Sequence, residues 1–193
     1  EMGDGGANGG VHAWTAGRLM QGWGSVISIE AQERVFYALA GNVAMNNLFN
    51  VKVRWNALAQ TPGIIDIPVP DYLRPSSFGS LEMQYTAASE NIGQPIDMQK
   101  CQPVQSISID SLELPRLDFM KLDVEGMEEQ VILGASETLA RCRPVLHIEQ
   151  LKSDQQSLHN MVESFGYVMY DIGPNTLCIP AGDEILKHMV VNG

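Results

Sequence analysis

The sequence predicts an α/β fold built on a parallel sheet. Three stretches predict it. Residues 118–149, DFMKLDVEGMEEQVILGASETLARCRPVLHIE, read as strand, turn, helix and strand. The Gly-rich opening EMGDGGANGG runs straight into a helical pattern at Val11, Trp14, Thr15 and Leu19. Val26-Ile27-Ser28-Ile29-Glu30 is a buried-type strand that stops on a carboxylate.

In the first stretch, apolar and polar residues alternate from Phe119 to Asp123, which is strand periodicity. Val124-Glu125-Gly126 turns the chain. Met127, Val131, Ile132, Ala135 and Leu139 then fall on one face of a single helix, which Pro144 stops. Val145 to Ile148 form a second strand ending on Glu149. Strand, helix and strand with short connections make a parallel βαβ unit. Ligands of open parallel sheets sit beyond the carboxyl ends of the strands, where Asp123, Glu125 and Glu149 all fall. Three carboxylates converging there need solvent, a cation or a ligand rich in donors.

Composition narrows the class. A chain of 193 residues supports one domain with a sizeable core, and 45% hydrophobic with 18% charged residues suits an ordinary globular protein. No apolar run approaches the roughly 20 residues that span a bilayer. Twelve Lys and Arg against 23 Asp and Glu give a net charge of −11, which argues against a phosphate-backbone footprint. Cys101, Cys142 and Cys178 lack paired or metal-site spacing, so we expect free thiols and a cytoplasmic protein.

Taken in order, Asp4-x-Gly6-Ala7-Asn8-x-Gly10 is a Gly-rich turn opening a helix. Backbone amides can approach an anion or cofactor there, and a helix N-terminus is positive. It is not the dinucleotide G-x-G-x-x-G, since Asn8 stands where the third Gly would be. Glu30, ending the second strand, is placed to accept hydrogen bonds from ribose hydroxyls. Arg34 to Asn47 reads as a helix with Val35, Leu39, Val43 and Met45 inward, and Val51 to Leu58 as the third strand, with Asn56 near its end. Ile64–Val69 and Leu81–Tyr85 read as short strands around the loop Pro75–Ser80. Glu90–Lys100 reads as a polar loop and Val104–Ile109 as a strand. Ser153 is expected to cap a helix that runs to about Phe165 and stops at Gly166. Tyr167–Ile172 and Thr176–Ile179 form a hairpin around Gly173-Pro174-Asn175, and Asp183–Val191 a terminal helix.

These residues resemble the FkbM family of S-adenosylmethionine-dependent methyltransferases. The run Lys121-x-Asp123-Val124-Glu125-Gly126, then Leu133-Gly134-Ala135 with Thr138-Leu139, Pro144 and Glu149, is similar to the family's D-F-I-K-I-D-V-E-G, L-x-G-A-x-x-T-L and P-x-x-x-x-E. Asp4 to Gly10 is similar to its D-x-G-A-N-x-G loop, Ile29-Glu30-Ala31 to its F-E-P with Ala for Pro, and Asp110-Ser111-Leu112 to its T-L-D turn. Only Glu1, Met2 and Gly3 precede Asp4, so the first strand is expected to be cut short or unusually short.

The resemblance implies a Rossmann-like, doubly wound, mostly parallel sheet with an antiparallel C-terminal strand, the class I methyltransferase fold. It implies one methyltransferase domain over residues 1–193, lacking the family's N-terminal segment. The implied activity is O-methylation of a hydroxyl on a small molecule or sugar, with S-adenosylmethionine as cofactor. Asp4, Gly6, Asn8, Gly10, Glu30, Asn56 and Asp123 are then the expected cofactor residues. Asn56 offers an adenine edge both a donor and an acceptor. Glu125 and Glu149 are the expected bases or acceptor-positioning groups. Lys121 shares a strand face with Asp123 and is expected to pair with it. His12 is a weaker alternative base, and His147 reads as a core histidine. No metal, nucleic acid or membrane partner is expected, and nothing in the sequence fixes the oligomeric state. Two rivals stay open: a non-catalytic cofactor-binding descendant, and a divalent-metal site using Asp123, Glu125 and Glu149.

Overall fold

The structure, a computed structural model, describes residues 1–83 and 89–188. In chain order it has β1 (Met2–Gly5), α1 (Val11–Leu19), β2 (Val26–Glu30), α2 (Glu33–Met45), β3 (Val51–Trp55), β4 (Ala57–Leu58), β5 (Gly63–Pro68), β6 (Cys101–Ile107), β7 (Phe119–Leu122), α3 (Glu128–Leu133), α4 (Ser136–Cys142), β8 (Val145–Glu149), α5 (Gln155–Ser164), β9 (Tyr167–Ile172) and β10 (Asn175–Pro180). The main sheet runs β3-β2-β1-β7-β8-β10-β9. Neighbours from β3 to β8 pair parallel, and β10 pairs antiparallel with both β8 and β9. A small sheet, β4-β6-β5, lies beside it.

Helices cover both faces. Ile27, Met120, Leu122, Leu146 and Ile148 pack under Val131, Ile132, Leu139 and Leu158 of α3, α4 and α5. On the other face, Val26 and Val51 pack with Ala13 of α1 and Leu39 of α2. Each fully buried Leu or Ile contributes about 1.5–3 kcal/mol. β1 has four residues, yet it is central, between β2 and β7. Its glycines suit that place: a Cβ on Gly5 would stand 2.7 Å from Leu58 Cδ1. α1 approaches through Ala13 and Gly17, where a Cβ on Gly17 would press on Val51, while Val11, Trp14 and Leu19 stay exposed.

Several expectations are corrected. The single helix over 127–139 is two: Gly134 lies against the Ala59–Gln60 backbone, where a Cβ would come 2.8 Å from the Gln60 carbonyl oxygen, and Asp110 caps the second helix by accepting from Glu137 and Thr138 N–H. The strand expected over 51–58 breaks at Asn56, and its second part joins the other sheet. Asn56 sits at that crossover, with its N–H donating to the Glu30 carbonyl (3.2 Å) and its side-chain amide to the Gln105 carbonyl (3.1 Å). Met45, expected inward, is 76% exposed, and Leu48 fills the core instead. Asp154, not Ser153, caps α5 by accepting from Ser157 N–H. Leu81–Met83 is not a strand, and the rest of that expected strand lies outside the described residues. Of the expected terminal helix, Glu184–Lys187 is a 3-10 turn, and residues 189–191 lie outside the described residues. Cys101, Cys142 and Cys178 are free thiols.

Candidate active site

At the carboxyl ends of β1, β2, β3 and β7 the sheet opens into a cleft of about 530 Å³, counted to its open mouth. Gly6, Asn8, Glu30, Asn56, Asp123 and Glu125 line it from the sheet side, and Gln32, Gly79 and Met83 also line it.

The turn from β1 to α1 is tight. Gly6 has φ 69°, and its N–H and that of Ala7 both donate to the Ile29 carbonyl, at 3.1 and 3.0 Å. A Cβ on Gly6 would overlap the Asp123 carbonyl oxygen, so glycine alone lets the turn reach β7. Asn8, at φ 49°, takes a left-handed conformation that asparagine tolerates. Gly10, at φ 89°, starts α1 and leaves no room beside Leu39.

Glu30 is 5% exposed. One carboxylate oxygen accepts from Asn8 N–H at 2.9 Å and the other from Gln32 N–H at 2.8 Å. Burial pushes its pKa up, against those two amides. The acid thus holds the glycine loop to the end of β2 and still faces the cleft. Gln32 donates to the Phe78 carbonyl (2.7 Å) and accepts from the Tyr72 hydroxyl (3.1 Å), which draws residues 72–80 to the cleft. Gly79 packs so closely on Asn8 that a Cβ would overlap its side-chain amide.

The remaining acids form a graded series. Asp4 is 1% exposed, and burial pushes its carboxyl up while Lys121, 4.0 Å away, pulls it down. Lys121 donates to Asp123 at 3.0 Å. Strand register sets Ser28, Asp4, Lys121 and His147 side by side across four strands. His147 is half-buried, its pKa pushed down by burial and then by Lys121, while His12 is exposed on α1. Asp123, Glu125 and Glu149 bring one oxygen each within 4.8 Å of one another. Burial pushes Glu125 up to about 7 against the opposing pull of Lys152. Burial, then Asp123, pushes Glu149 to about 7.

Two residues that sequence reasoning missed organise this corner. Glu128 is 1% exposed; one oxygen accepts from Val124 N–H (3.0 Å) and Gly126 N–H (3.3 Å), and the other from the Ser153 hydroxyl. It braces the turn in which Glu125 sits at φ 54°. A Glu two residues after a Gly-containing turn, near a helix start, is the one local signal for it. Lys152 Nζ lies 2.6 Å from Glu125 and 3.1 Å from Glu90, and donates to the Ser80 carbonyl at 2.8 Å. Glu125 and Glu90 outweigh burial and hold its pKa above the ordinary value. No local pattern announces that lysine.

Of the expected site residues, Gly6, Asn8, Glu30, Asn56, Asp123 and Glu125 stand on the cleft itself. Asp4 and Lys121 lie behind it, paired across the sheet; Gly10 shapes the loop from the α1 side; Glu149 joins through Asp123.

The chain is similar to known proteins. The family model described as Methyltransferase FkbM domain matches residues 4–169. The crystal structure of methyltransferase FkbM from Methylobacillus flagellatus KT is 19% identical with a TM-score of 0.63, over 92% of this chain and 42% of that one. The chain therefore spans less than half the length of that protein. A SAM-dependent methyltransferase from Aquifex aeolicus is 13% identical (TM-score 0.46, 92% of this chain, 79% of that one). A precorrin-6y C5,15-methyltransferase from Geobacter metallireducens GS-15 is 14% identical (TM-score 0.49, 92% and 76%). No curated protein matches the chain.

Proposed function

Because the chain belongs to the FkbM methyltransferase family, we propose that it transfers a methyl group from S-adenosylmethionine to a hydroxyl oxygen of a small molecule or sugar. The observation that carries this reading is the glycine loop, whose Gly6 a single Cβ would drive into β7, facing Glu30 and Asp123 across one cleft. Such a cradle suits a nucleoside cofactor with a charged end.

In this reading residues 1–193 act as one methyltransferase domain. Glu30 accepts the ribose hydroxyls, and Asn56 reads the adenine edge. Asp123, held by Lys121, faces the cationic amino-acid end. Asp4 keeps Lys121 in place from behind, and Gly10 shapes the loop. The cofactor supplies a methyl group already activated by its sulfonium. What the protein adds is alignment of the acceptor oxygen and removal of its proton. Glu125 or Glu149 would take the hydroxyl proton of an acceptor held in the cleft. A carboxylate with a pKa of about 7 is matched to that task near neutral pH.

Calorimetry with S-adenosylhomocysteine is the first test. Binding is expected, and Glu30→Ala should weaken it by at least about 1.5 kcal/mol, the value of a hydrogen bond to a charged group. A labelled-methyl assay over hydroxylated small molecules and sugars then separates an enzyme from a cofactor-binding protein. The close approach of Asp123, Glu125 and Glu149 favours one second reading, a hard divalent cation held by oxygen ligands. That reading leaves the glycine loop and Glu30 without a task. Magnesium heat without S-adenosylhomocysteine heat would select it.

A further inference from the structure

Lys152 joins two walls of the cleft. Glu125, on the turn after β7, lies 2.6 Å from its Nζ and lines one wall. Ser80, whose carbonyl accepts from the same Nζ at 2.8 Å, lies between Gly79 and Met83 on another. Glu90 at 3.1 Å and Glu82 at 4.0 Å complete the surround. Glu82 in turn accepts from the Ser89 hydroxyl (2.6 Å) and Glu90 N–H (3.0 Å), so both described ends of this segment converge on one lysine. The Lys152 side chain is 13% exposed, and its one positive charge faces three carboxylates. A compact ammonium with three rotatable donors suits such a junction.

We propose that Lys152 is a positioning residue that latches the cleft wall carrying Gly79, Ser80 and Met83 onto Glu125, so that holding that wall and aiming Glu125 are one task. Lys152 comes from the loop between β8 and α5, which Ser153 also ties to the Glu125 turn through Glu128. The latch is therefore tied to the Glu125 turn, and the wall with Gly79 and Met83 is the part it holds. Asp123, Glu128 and Glu149 also face Glu125, all of them acids, so Lys152 is its one cationic neighbour among the described residues. Removing the charge both loosens the far wall and leaves Glu125 among like charges, which push it out of line.

The inference rests on the proposed function for its meaning, but its test does not. In the protein without ligand, Lys152→Met should raise amide hydrogen exchange over Phe78–Met83 at least tenfold. Lys152→Arg, which keeps the charge, should restore it to within about threefold of wild type. Release of S-adenosylhomocysteine should quicken at least tenfold in Lys152→Met. Exchange unchanged in Lys152→Met, or no rescue by Lys152→Arg, overturns the latch. If Lys152→Met fails to fold, Glu90→Gln, which removes one ion pair at a largely exposed residue, must raise exchange over the same stretch or the latch fails. Wild-type protein that does not bind S-adenosylhomocysteine sinks the proposed function, while the exchange arm still decides the latch.

Discussion

Replacing Gly6 by alanine tests how tightly the glycine loop is built. Gly6 has φ 69°, a conformation that costs an L-residue about 1–2 kcal/mol. The added Cβ would overlap the Asp123 carbonyl oxygen and lie 2.7 Å from its carbonyl carbon. Those are backbone atoms just past the end of β7, so no rotamer change relieves the overlap. Forced movement of this kind adds about 1–3 kcal/mol. The total is about 2–5 kcal/mol. For a chain of 193 residues at about 2–4 °C per kcal/mol, the melting temperature should fall by about 4–20 °C. Gly9→Ala, three residues on, meets nothing within 4 Å and should stay within about 0.5 kcal/mol of wild type. Thermal melting by circular dichroism reads both. S-adenosylhomocysteine calorimetry on Gly6→Ala should show at least about tenfold weaker binding, because the loop can no longer seat beside Asp123. Equal melting temperatures for the two variants would refute the close approach of the loop to β7, and with it the cradle.

Glu128→Ala would strand the N–H groups of Val124 and Gly126 and the Ser153 hydroxyl; at about 1 kcal/mol or more for each orphaned donor, a loss of at least about 3 kcal/mol should appear in denaturant unfolding. Glu125 and Glu149 sit at about 7 in the folded chain against an ordinary 4.5, so the folded state binds protons more tightly. Their contribution to stability is therefore present at the acid end and lost as pH rises from about 4.5 through about 7; melting curves across that window should show the decline, and a Glu125→Gln, Glu149→Gln double variant should flatten it. Asp123→Asn should weaken S-adenosylhomocysteine and turnover together, since it also breaks the Lys121 pair. Glu125→Gln, which loses the Lys152 pair, should weaken binding less than Asp123→Asn does and turn over about a hundredfold slower or worse. Calorimetry with the reverse order of affinities would exchange the two roles.

What could be read from sequence was whatever a local pattern records. The alternation at Phe119–Asp123 and the buried run at Val26–Glu30 report burial of a strand's own faces, and both are strands where expected. The glycine loop was legible because its glycines answer a backbone demand, φ 69° at Gly6 and φ 89° at Gly10. Carboxylates at strand ends were legible because a parallel sheet sends those ends to one edge.

Tertiary structure decided the rest, because it depends on who arrives from elsewhere in the chain. The helix over 127–139 carries an unbroken apolar face, yet the Ala59–Gln60 backbone lies against Gly134 and Asp110 caps the second helix at Glu137 and Thr138. The strand over 51–58 is continuous in pattern, yet two sheets compete for it and Asn56 is where they part. Met45 and Leu48 are both apolar, and the end of α2 chose between them. Glu128 and Lys152 look like surface charges in sequence. Their tasks come from partners 25 residues away at Ser153 and 72 residues away at Ser80, distances over which periodicity carries no information and packing alone assigns the contact.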